Sequence, residues 1–171
     1  MSKEIFETLA RYNQIANGKM NEVIAAISDD EWNREFNGFF KSTRALCSHV
    51  YIADVTWLKR FGGVKEFKTL KDGLFQSELS FKELLFPHKD EYLAKRPELD
   101  KLIISLIAEL DEGDLGKNLK YADSHGTPHE HPFYGTLLQV LNHETHHRGM
   151  VSLYLELLGK DNDFSGVLAA F

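Results

Sequence analysis

Residues 133–158 decide the fold of this chain, and they read FYGTLLQVLNHETHHRGMVSLYLELL. No proline interrupts the segment, and its apolar positions recur at steps of three and four, the period of an amphipathic helix. The resulting stripe consists of Thr136, Val140, His143, His147, Val151, Tyr154 and Leu158. Gly159 follows directly, as expected just beyond a helix C-terminus. The segment therefore predicts a long helix with two histidines on its apolar face.

The same spacing predicts three further helices upstream of this one. The first stripe consists of Ile5, Leu9, Tyr12, Ala16, Met20, Val23 and Ile27. The second consists of Leu46, His49, Ala53, Trp57 and Phe61, and Gly62-Gly63 is a signal for its end. The third consists of Leu99, Leu102, Leu106 and Leu110. This helix is predicted to start near residue 88, with Pro97 in the first turn of its main segment or at a kink. Gly113 is predicted to mark its end.

The connections between these helices differ in kind. Ser28 is predicted to cap a short turn around Trp32, and residues 64–87 are predicted to form a long connection with local turns. Residues 117–123 and 127–133 flank Ser124-His125-Gly126, which predicts a hairpin with a three-residue loop. Prolines in the second arm make that strand short or irregular. The prediction is an all-α protein, a single domain over 1–171: a four-helix bundle with a long crossover and a small β-hairpin before the last helix.

Composition excludes several classes of protein. The chain has 171 residues, a formal net charge of −6 and one cysteine, Cys47. A lone cysteine excludes an intramolecular disulfide and a thiolate-rich zinc module. The acidic balance argues against a nucleic-acid partner, and no stretch approaches the roughly 20 apolar residues of a membrane-spanning helix. The N-terminus has no apolar signal region, so we expect a cytoplasmic protein without membrane or nucleic-acid partners.

The histidines carry the chemical signal. His143 and His147 are four residues apart, so both imidazoles lie on one face of a helix and can reach one cation. His49 occupies the apolar stripe of another helix, and bundles build metal sites from facing helices. Three inward histidines form an N₃ ligand set with an open position, as in catalytic zinc sites. The alternative for each histidine alone is a structural residue of the core.

A second interpretation of the same segment is the H-E-x-x-H pattern of zinc peptidases, in which Glu144 would be the general base. Such enzymes usually set this helix against a β-sheet and take a third ligand from downstream. Only 24 residues follow His147, and no turn signal brings Glu156 back towards the pair. The peptidase hypothesis is therefore the weaker one.

The remaining histidines and the cysteine have plainer interpretations. His146 projects beside the apolar stripe, where it is either a surface residue or a group that faces the substrate. His125, His129 and His131 cluster in the predicted hairpin, where a solvated loop is the expected environment. His88 marks a helix start. Cys47 precedes His49 by two residues and points away from it, so we expect a buried structural thiol.

Three segments resemble one known family. They are Tyr12-Asn13-x-x-Ala16-Asn17, the segment from Ser42 through His49 and Asp54 to Trp57-Leu58, and Asn142-His143-x-x-His146-His147-Arg148-Gly149. Together they look like the DinB/YfiT-like superfamily, and the likeness extends over essentially the whole chain. Met150 is a departure, because many relatives have glutamine there. Gly149 would cost a helix about 1 kcal/mol, which suggests close approach of another backbone.

The resemblance implies a four-helix bundle, often a homodimer, in which three histidines hold one divalent metal ion, usually zinc or nickel. By position the ligands would be His49, His143 and His147. Characterised branches include metal-dependent S-transferases that use thiols such as bacillithiol, and a mycothiol-dependent isomerase. Imidazole ligands suit zinc, nickel, iron and copper alike, so the sequence leaves the metal open.

The sequence thus predicts a divalent-metal-binding protein and leaves open whether its site is catalytic. The favoured hypothesis is an enzyme that acts on a small-molecule substrate by activating a low-molecular-weight thiol (S-transferase type) or water (hydrolase type). Glu144 and His146 are the candidate groups around the ligands. The alternative is a non-catalytic metal-binding protein of a stress response, or an interaction protein.

Overall fold

The structure, a computed structural model, describes residues 2–171. Its helices are α1 Lys3–Ala25, α2 Asp29–Asn33, α3 Thr43–Phe61, α4 Lys89–Ala108, α5 Glu112–Leu115 and α6 Phe133–Leu157. Two antiparallel strands, β1 Asn118–Ala122 and β2 Pro128–Pro132, form a hairpin directly before α6. Short 3₁₀ turns lie at Thr69–Lys71, Gly73–Gln76 and Val167–Ala170. The predicted class, a helical protein with one small hairpin before the last helix, is confirmed.

The four long helices pack in a ring. Helix α1 packs against α4 and α6, and α3 packs against the same two helices. Their apolar stripes meet in one continuous cluster of buried side chains. Because α3 and α6 are neighbours, histidines on the two helices face each other across one groove. No helix within residues 2–171 is long and apolar enough to cross a membrane.

Helix α1 follows its predicted stripe except at the start. Ile5 is 49% exposed, whereas the side chain of Phe6 is fully buried, so the inward face begins one residue later than the spacing predicted. The predicted cap at Ser28 is confirmed, because its hydroxyl accepts from the Glu31 amide and the Glu31 carboxylate accepts from the Ser28 amide. This capping box starts α2 and places Trp32 in the core.

The crossover between α3 and α4 covers the outer side of α3. It buries three aromatic side chains, Phe67, Phe75 and Phe86, although it contains no long helix. Phe86 packs edge-on against Tyr51 of α3, with ring centroids 5.1 Å apart. Residues 50–55 of α3 are consequently all buried. The long connection predicted from the sequence is therefore part of the hydrophobic core.

Helix α4 begins at Lys89, close to the predicted start near residue 88, and Pro97 lies in its interior. Its end differs from the prediction. It ends at Ala108, and Gly113 lies within the short helix α5, which makes the prediction of Gly113 as the helix end wrong. Asp111 and Asp114 form a capping box that starts α5. The apolar periodicity does not predict this separate short helix.

The hairpin tolerates its two prolines because of its register. Pro128 pairs with Ala122 and Pro132 pairs with Asn118. Backbone hydrogen bonds from Asp123 to Thr127 and from Phe133 to Lys117 flank these pairs, so the prolines occupy positions that donate nothing to the ladder. The connection runs from Asp123 to Thr127, five residues and not the predicted three.

Candidate metal centre

Three histidines from two helices converge on one point in the groove between α3 and α6. The Nε2 atom of His143 lies 3.2 Å from Nε2 of His49 and 3.0 Å from Nε2 of His147. One nitrogen of each ring lies within 4.8 Å of the others, and no other group of three such side chains in residues 2–171 meets this condition. The structure thus brings together the three residues that the sequence predicts as metal ligands.

Local geometry explains the convergence. His143 and His147 are one turn apart on α6, so their rings leave the same face of the helix. His49 comes from α3, which packs against α6. His147 is 6% exposed, and the other two are half-buried. Two of the three rings are therefore partly exposed at the groove, and the third lies beneath the surface.

Aromatic rings orient the imidazoles. The Phe40 ring packs against His49 and His147, with centroids 4.7 and 5.4 Å apart, and Phe81 lies 5.7 Å from His49. Phe40 is held by its backbone, because its carbonyl accepts a hydrogen bond of 2.6 Å from the Tyr154 hydroxyl. A Cβ at Gly38 would lie 2.1 Å from that hydroxyl. Only glycine therefore allows this loop to bring Phe40 onto the histidines.

The three imidazoles are neutral at physiological pH. Burial, together with the charge of neighbouring histidines, lowers the pKa of His49 to about 4 and that of His147 to about 3. Burial also lowers the pKa of His143. A neutral imidazole has a free nitrogen lone pair, and that is the form in which histidine binds metals.

The donor set fits one divalent ion. Zinc–nitrogen bonds of about 2.0–2.1 Å in tetrahedral geometry place neighbouring ligand nitrogens about 3.3 Å apart. The two Nε2–Nε2 distances at His143, 3.2 and 3.0 Å, are close to that value. The Nδ1 atoms of His143 and His147 have no hydrogen-bond partner within residues 2–171, so packing rather than hydrogen bonding orients these rings. A three-histidine site leaves at least one coordination position for another ligand.

Glu144, the general base of the peptidase hypothesis, points into the bundle and away from the groove. Its carboxylate lies 3.0 Å from the Arg96 guanidinium and 3.5 Å from that of Arg148, and it is 2% exposed. Burial raises the pKa of Glu144, but the charge of Arg96 and hydrogen bonding from Asp54 outweigh burial and lower it. A carboxylate held in this way is a poor proton acceptor, which argues against the peptidase hypothesis.

This carboxylate belongs to a buried polar network that joins all four long helices. Arg96 bonds to Asp54 at 2.6 Å and to Asp100, while Arg148 bonds to Asn13 at 2.6 Å and to Asn17 at 3.0 Å. Burial and the charge of Glu144 raise the pKa of Asp54 well above its usual range, so Asp54 keeps a proton. Burial also raises the pKa of Asp100, whereas Glu144 stays ionised between Arg96 and Arg148.

The other predicted residues lie apart from the centre. His146 is exposed, and its ring packs against that of His147 at 4.8 Å. The hairpin histidines do not reach the groove floor; His129 instead pairs with Asp123 at 3.0 Å. His88 precedes α4 and pairs with Asp29, and Cys47 is buried, which raises its pKa to about 12. These placements agree with the predicted helix start and inert thiol.

Three residues at or near the site, Gly149, Phe40 and Arg96, differ from the expectations drawn from the sequence or lie outside them. A Cβ added to Gly149 would meet no neighbouring atom of residues 2–171 within 4 Å outside its own helical turn, so the expectation of close approach is wrong within this chain. Phe40 and Arg96 were not singled out. Arg96 interrupts the apolar face of α4, and an arginine at such a position is the signal that would have found the network.

Fold and site together define a helical bundle with a three-histidine centre, and comparisons with known proteins agree. The DinB family matches residues 1–164. The DinB protein of Bacillus subtilis (strain 168) is 25% identical over 151 residues, which are 88% of this chain and 84% of that protein. The chain belongs to the DinB family.

A solved structure shares the fold. The crystal structure of a DinB-like protein from Bacillus cereus ATCC 10987 superposes with a TM-score of 0.61 at 16% identity. The likeness covers 85% of this chain and 87% of that one. This agreement concerns the arrangement of the helices.

Proposed function

We propose that this protein is a metal-dependent S-transferase, in which His49, His143 and His147 hold one divalent ion that serves a low-molecular-weight thiol. The observation that carries the proposal is the convergence of three neutral imidazole nitrogens, 3.0 and 3.2 Å apart at His143. A divalent ion held by such ligands would lower the pKa of a thiol or of a water molecule bound to it.

The surroundings favour a thiol over water. Glu144 is the carboxylate nearest in sequence to the ligands, and it is engaged by Arg96 and Arg148. No protein thiol serves the site either, because Cys47 is buried with a raised pKa. A thiol has an ordinary pKa near 8.5 and needs less help to ionise than water does. Phe40 and Phe81 give the groove an apolar wall, which suits a sulfur nucleophile.

The test is turnover of a thiol with an electrophile. The protein, loaded with zinc or nickel, is incubated with bacillithiol, cysteine or coenzyme A and with monochlorobimane. In the reaction the thiol sulfur bonds to the chloromethyl carbon, chloride leaves with its electron pair, and the thiol proton passes to solvent. We expect fluorescent product at a rate at least 100-fold above that of protein carrying His143→Ala and His147→Ala.

His125→Ala is the matched control, because His125 is an exposed loop residue, and it should keep the full rate. Hydrolysis of esters or amides with no thiol transfer would shift the assignment to a hydrolase. Metal-dependent stabilisation without turnover of any thiol would favour the non-catalytic alternative. Either result would overturn the S-transferase proposal.

A further inference from the structure

A pocket lies between α3, the hairpin and the first turns of α6. Its volume is about 470 Å³, and it is lined by Trp57, Tyr121, His131, Pro132, Tyr134, Gly135, Thr136 and Gln139. Gln139 precedes His143 by one helical turn, about 6 Å, and Trp57 follows His49 by about 12 Å on the neighbouring helix. We call it the aromatic pocket. A cavity of this size accommodates a small organic molecule.

The walls of the aromatic pocket are built for a flat apolar group. Trp57 from α3 meets Tyr121 from β1 edge-on, with ring centroids 5.1 Å apart. Tyr134, at the start of α6, is 39% exposed and adds a further ring. Rings fixed in this way offer both faces and edges to an aromatic ligand.

One free cation lies against these rings. The guanidinium of Arg60 is 4.8 Å from the ring centroid of Trp57 and 5.0 Å from that of Tyr121. It makes no hydrogen bond or ion pair with any group of residues 2–171, although the side chain is half-buried. An arginine in this state retains all its donors for a partner.

Among residues 2–171, no charged side chain lines the aromatic pocket, and Arg60 stacks on two of the rings that do. No Asp or Glu lines it, although the chain has a net charge of −6. Asp123 is the carboxylate whose charge acts on Arg60, and it already accepts hydrogen bonds from His129 and from the amides of His125 and Thr127. The free guanidinium therefore favours an anionic ligand, and its place on the rings leaves less room for a second cation.

We propose that the aromatic pocket binds the body of a small aromatic anion, a carboxylate, sulfonate or phosphate, whose charged group pairs with Arg60. The inference deepens the proposed function and rests on it in one respect: the ligand would be a substrate whose other end reaches the three histidines. Arg60 and Trp57 thereby determine which substrates the groove accepts.

The experiment is a calorimetric titration of the zinc-loaded protein with three probes of one shape. They are naphthalene-2-sulfonate, neutral 2-naphthylmethanol and the cation (2-naphthylmethyl)trimethylammonium. We expect the sulfonate to bind most tightly. Arg60→Gln should weaken the sulfonate about tenfold, equivalent to about 1.4 kcal/mol, because a charge-assisted hydrogen bond is lost, and should leave the neutral probe within twofold.

The controls isolate each part of the inference. Arg34→Gln removes another arginine that stacks on a ring, Phe36 at 5.8 Å, and it should change no probe. Tyr134→Leu, at a partly exposed position, should weaken all three probes without unfolding the protein. Equal affinity for sulfonate and neutral probe, or an Arg60→Gln variant with unchanged sulfonate affinity, would overturn the proposal. Tighter binding of the trimethylammonium probe than of the sulfonate would overturn the proposal and show that the pocket prefers cations.

A further variant distinguishes failure of the S-transferase proposal from failure of the aromatic-pocket proposal. In the His143→Ala plus His147→Ala variant the sulfonate should still bind within about twofold, because the aromatic pocket lies one turn or more from the metal ligands. Loss of sulfonate binding in that variant would contradict a separate pocket. Thiol turnover that persists while the probe titrations fail would overturn the aromatic pocket alone.

Discussion

Two groups of three histidines lie in this molecule, and their surroundings are opposite. His49, His143 and His147 sit in the groove of the bundle, with lowered pKa values and aromatic packing. The hairpin group, His125, His129 and His131, is exposed or half-exposed, and its central member pairs with Asp123. The rings of His129 and His131 stack 6.0 Å apart instead of aiming nitrogens at one point.

The comparison shows why three histidines can form a set of metal ligands in the bundle but not in the hairpin. Side chains two apart on a strand stand side by side and point the same way, so their nitrogens run parallel. Side chains on facing helices approach from different directions and can surround one point. Burial then keeps the helical histidines neutral, while the hairpin histidines remain in water. Placement on facing elements, and not the number of histidines, distinguishes the two groups.

The largest predicted effect separates the two groups directly. His143→Ala with His147→Ala removes two of three converging nitrogens, so zinc affinity should fall by more than about 1,000-fold, equivalent to about 4 kcal/mol. His125→Ala with His129→Ala should leave it unchanged. A competition titration against a chromophoric chelator measures both. Comparable losses from the two double variants would erase the distinction.

The second prediction concerns the carboxylate beside the ligands. Glu144→Gln leaves the buried Arg148 without its ionic partner and removes one of the carboxyl partners of Arg96. Removing one member of such a buried pair costs about 3 kcal/mol or more. Urea unfolding should show this loss, while zinc stoichiometry stays at the wild-type value. Glu156→Gln, an exposed position on the same helix, is the matched control. Full stability with abolished turnover would return Glu144 to the position of a catalytic base.

The third prediction tests whether the bundle group contributes to stability through a metal. Zinc at 100 times its dissociation constant stabilises the folded state by about 2.7 kcal/mol. For a chain of this size, chelator should then lower Tm by about 5–10 °C. The hairpin double variant should show the same shift, and the bundle double variant should show none. A chelator effect that survives loss of His143 and His147 would point to another metal site.

The smallest effect belongs to the hairpin. Hydrogen bonds from His129 and from the Thr127 and His125 amides lower the pKa of Asp123 to about 2. A lowered pKa stabilises the folded hairpin above the unfolded pKa, near 4, and the effect is lost as pH falls from about 4 to 2. Carboxyl NMR titration should show this value, and His129→Gln should raise it. A pKa near 4 for Asp123 in the wild type would show that these hydrogen bonds do not stabilise its carboxylate.

The sequence predicted the long helices well because their stripes have a simple period. It also predicted the cap at Ser28 and the two arms of the hairpin, which depend on local chemistry. The start of α4 agrees with the prediction, but its end does not, because the helix stops at Ala108 and the capping box at Asp111 starts a further short helix that contains Gly113. Local signals of this kind are outweighed when a helix gains stability from packing.

The candidate site was predictable from the sequence only in part. Helical spacing selected His143 and His147, and the apolar stripe selected His49. Phe40 was beyond such reasoning, since its contact with the histidines depends on a loop held by Tyr154, more than 100 positions away, and on the small size of Gly38. The aromatic pocket likewise combines α3, the hairpin and the start of α6.

Periodicity and composition specify the helices, the absence of cysteine ligands and the residue types that face inward. The packing of α3 beside α6 and the contact of Glu144 with Arg96 follow only from the folded structure. It also places Arg60 on the rings of Trp57 and Tyr121. Spacing along the chain specifies which side chains lie on the same face of a helix. Packing between helices specifies which residues that face contacts.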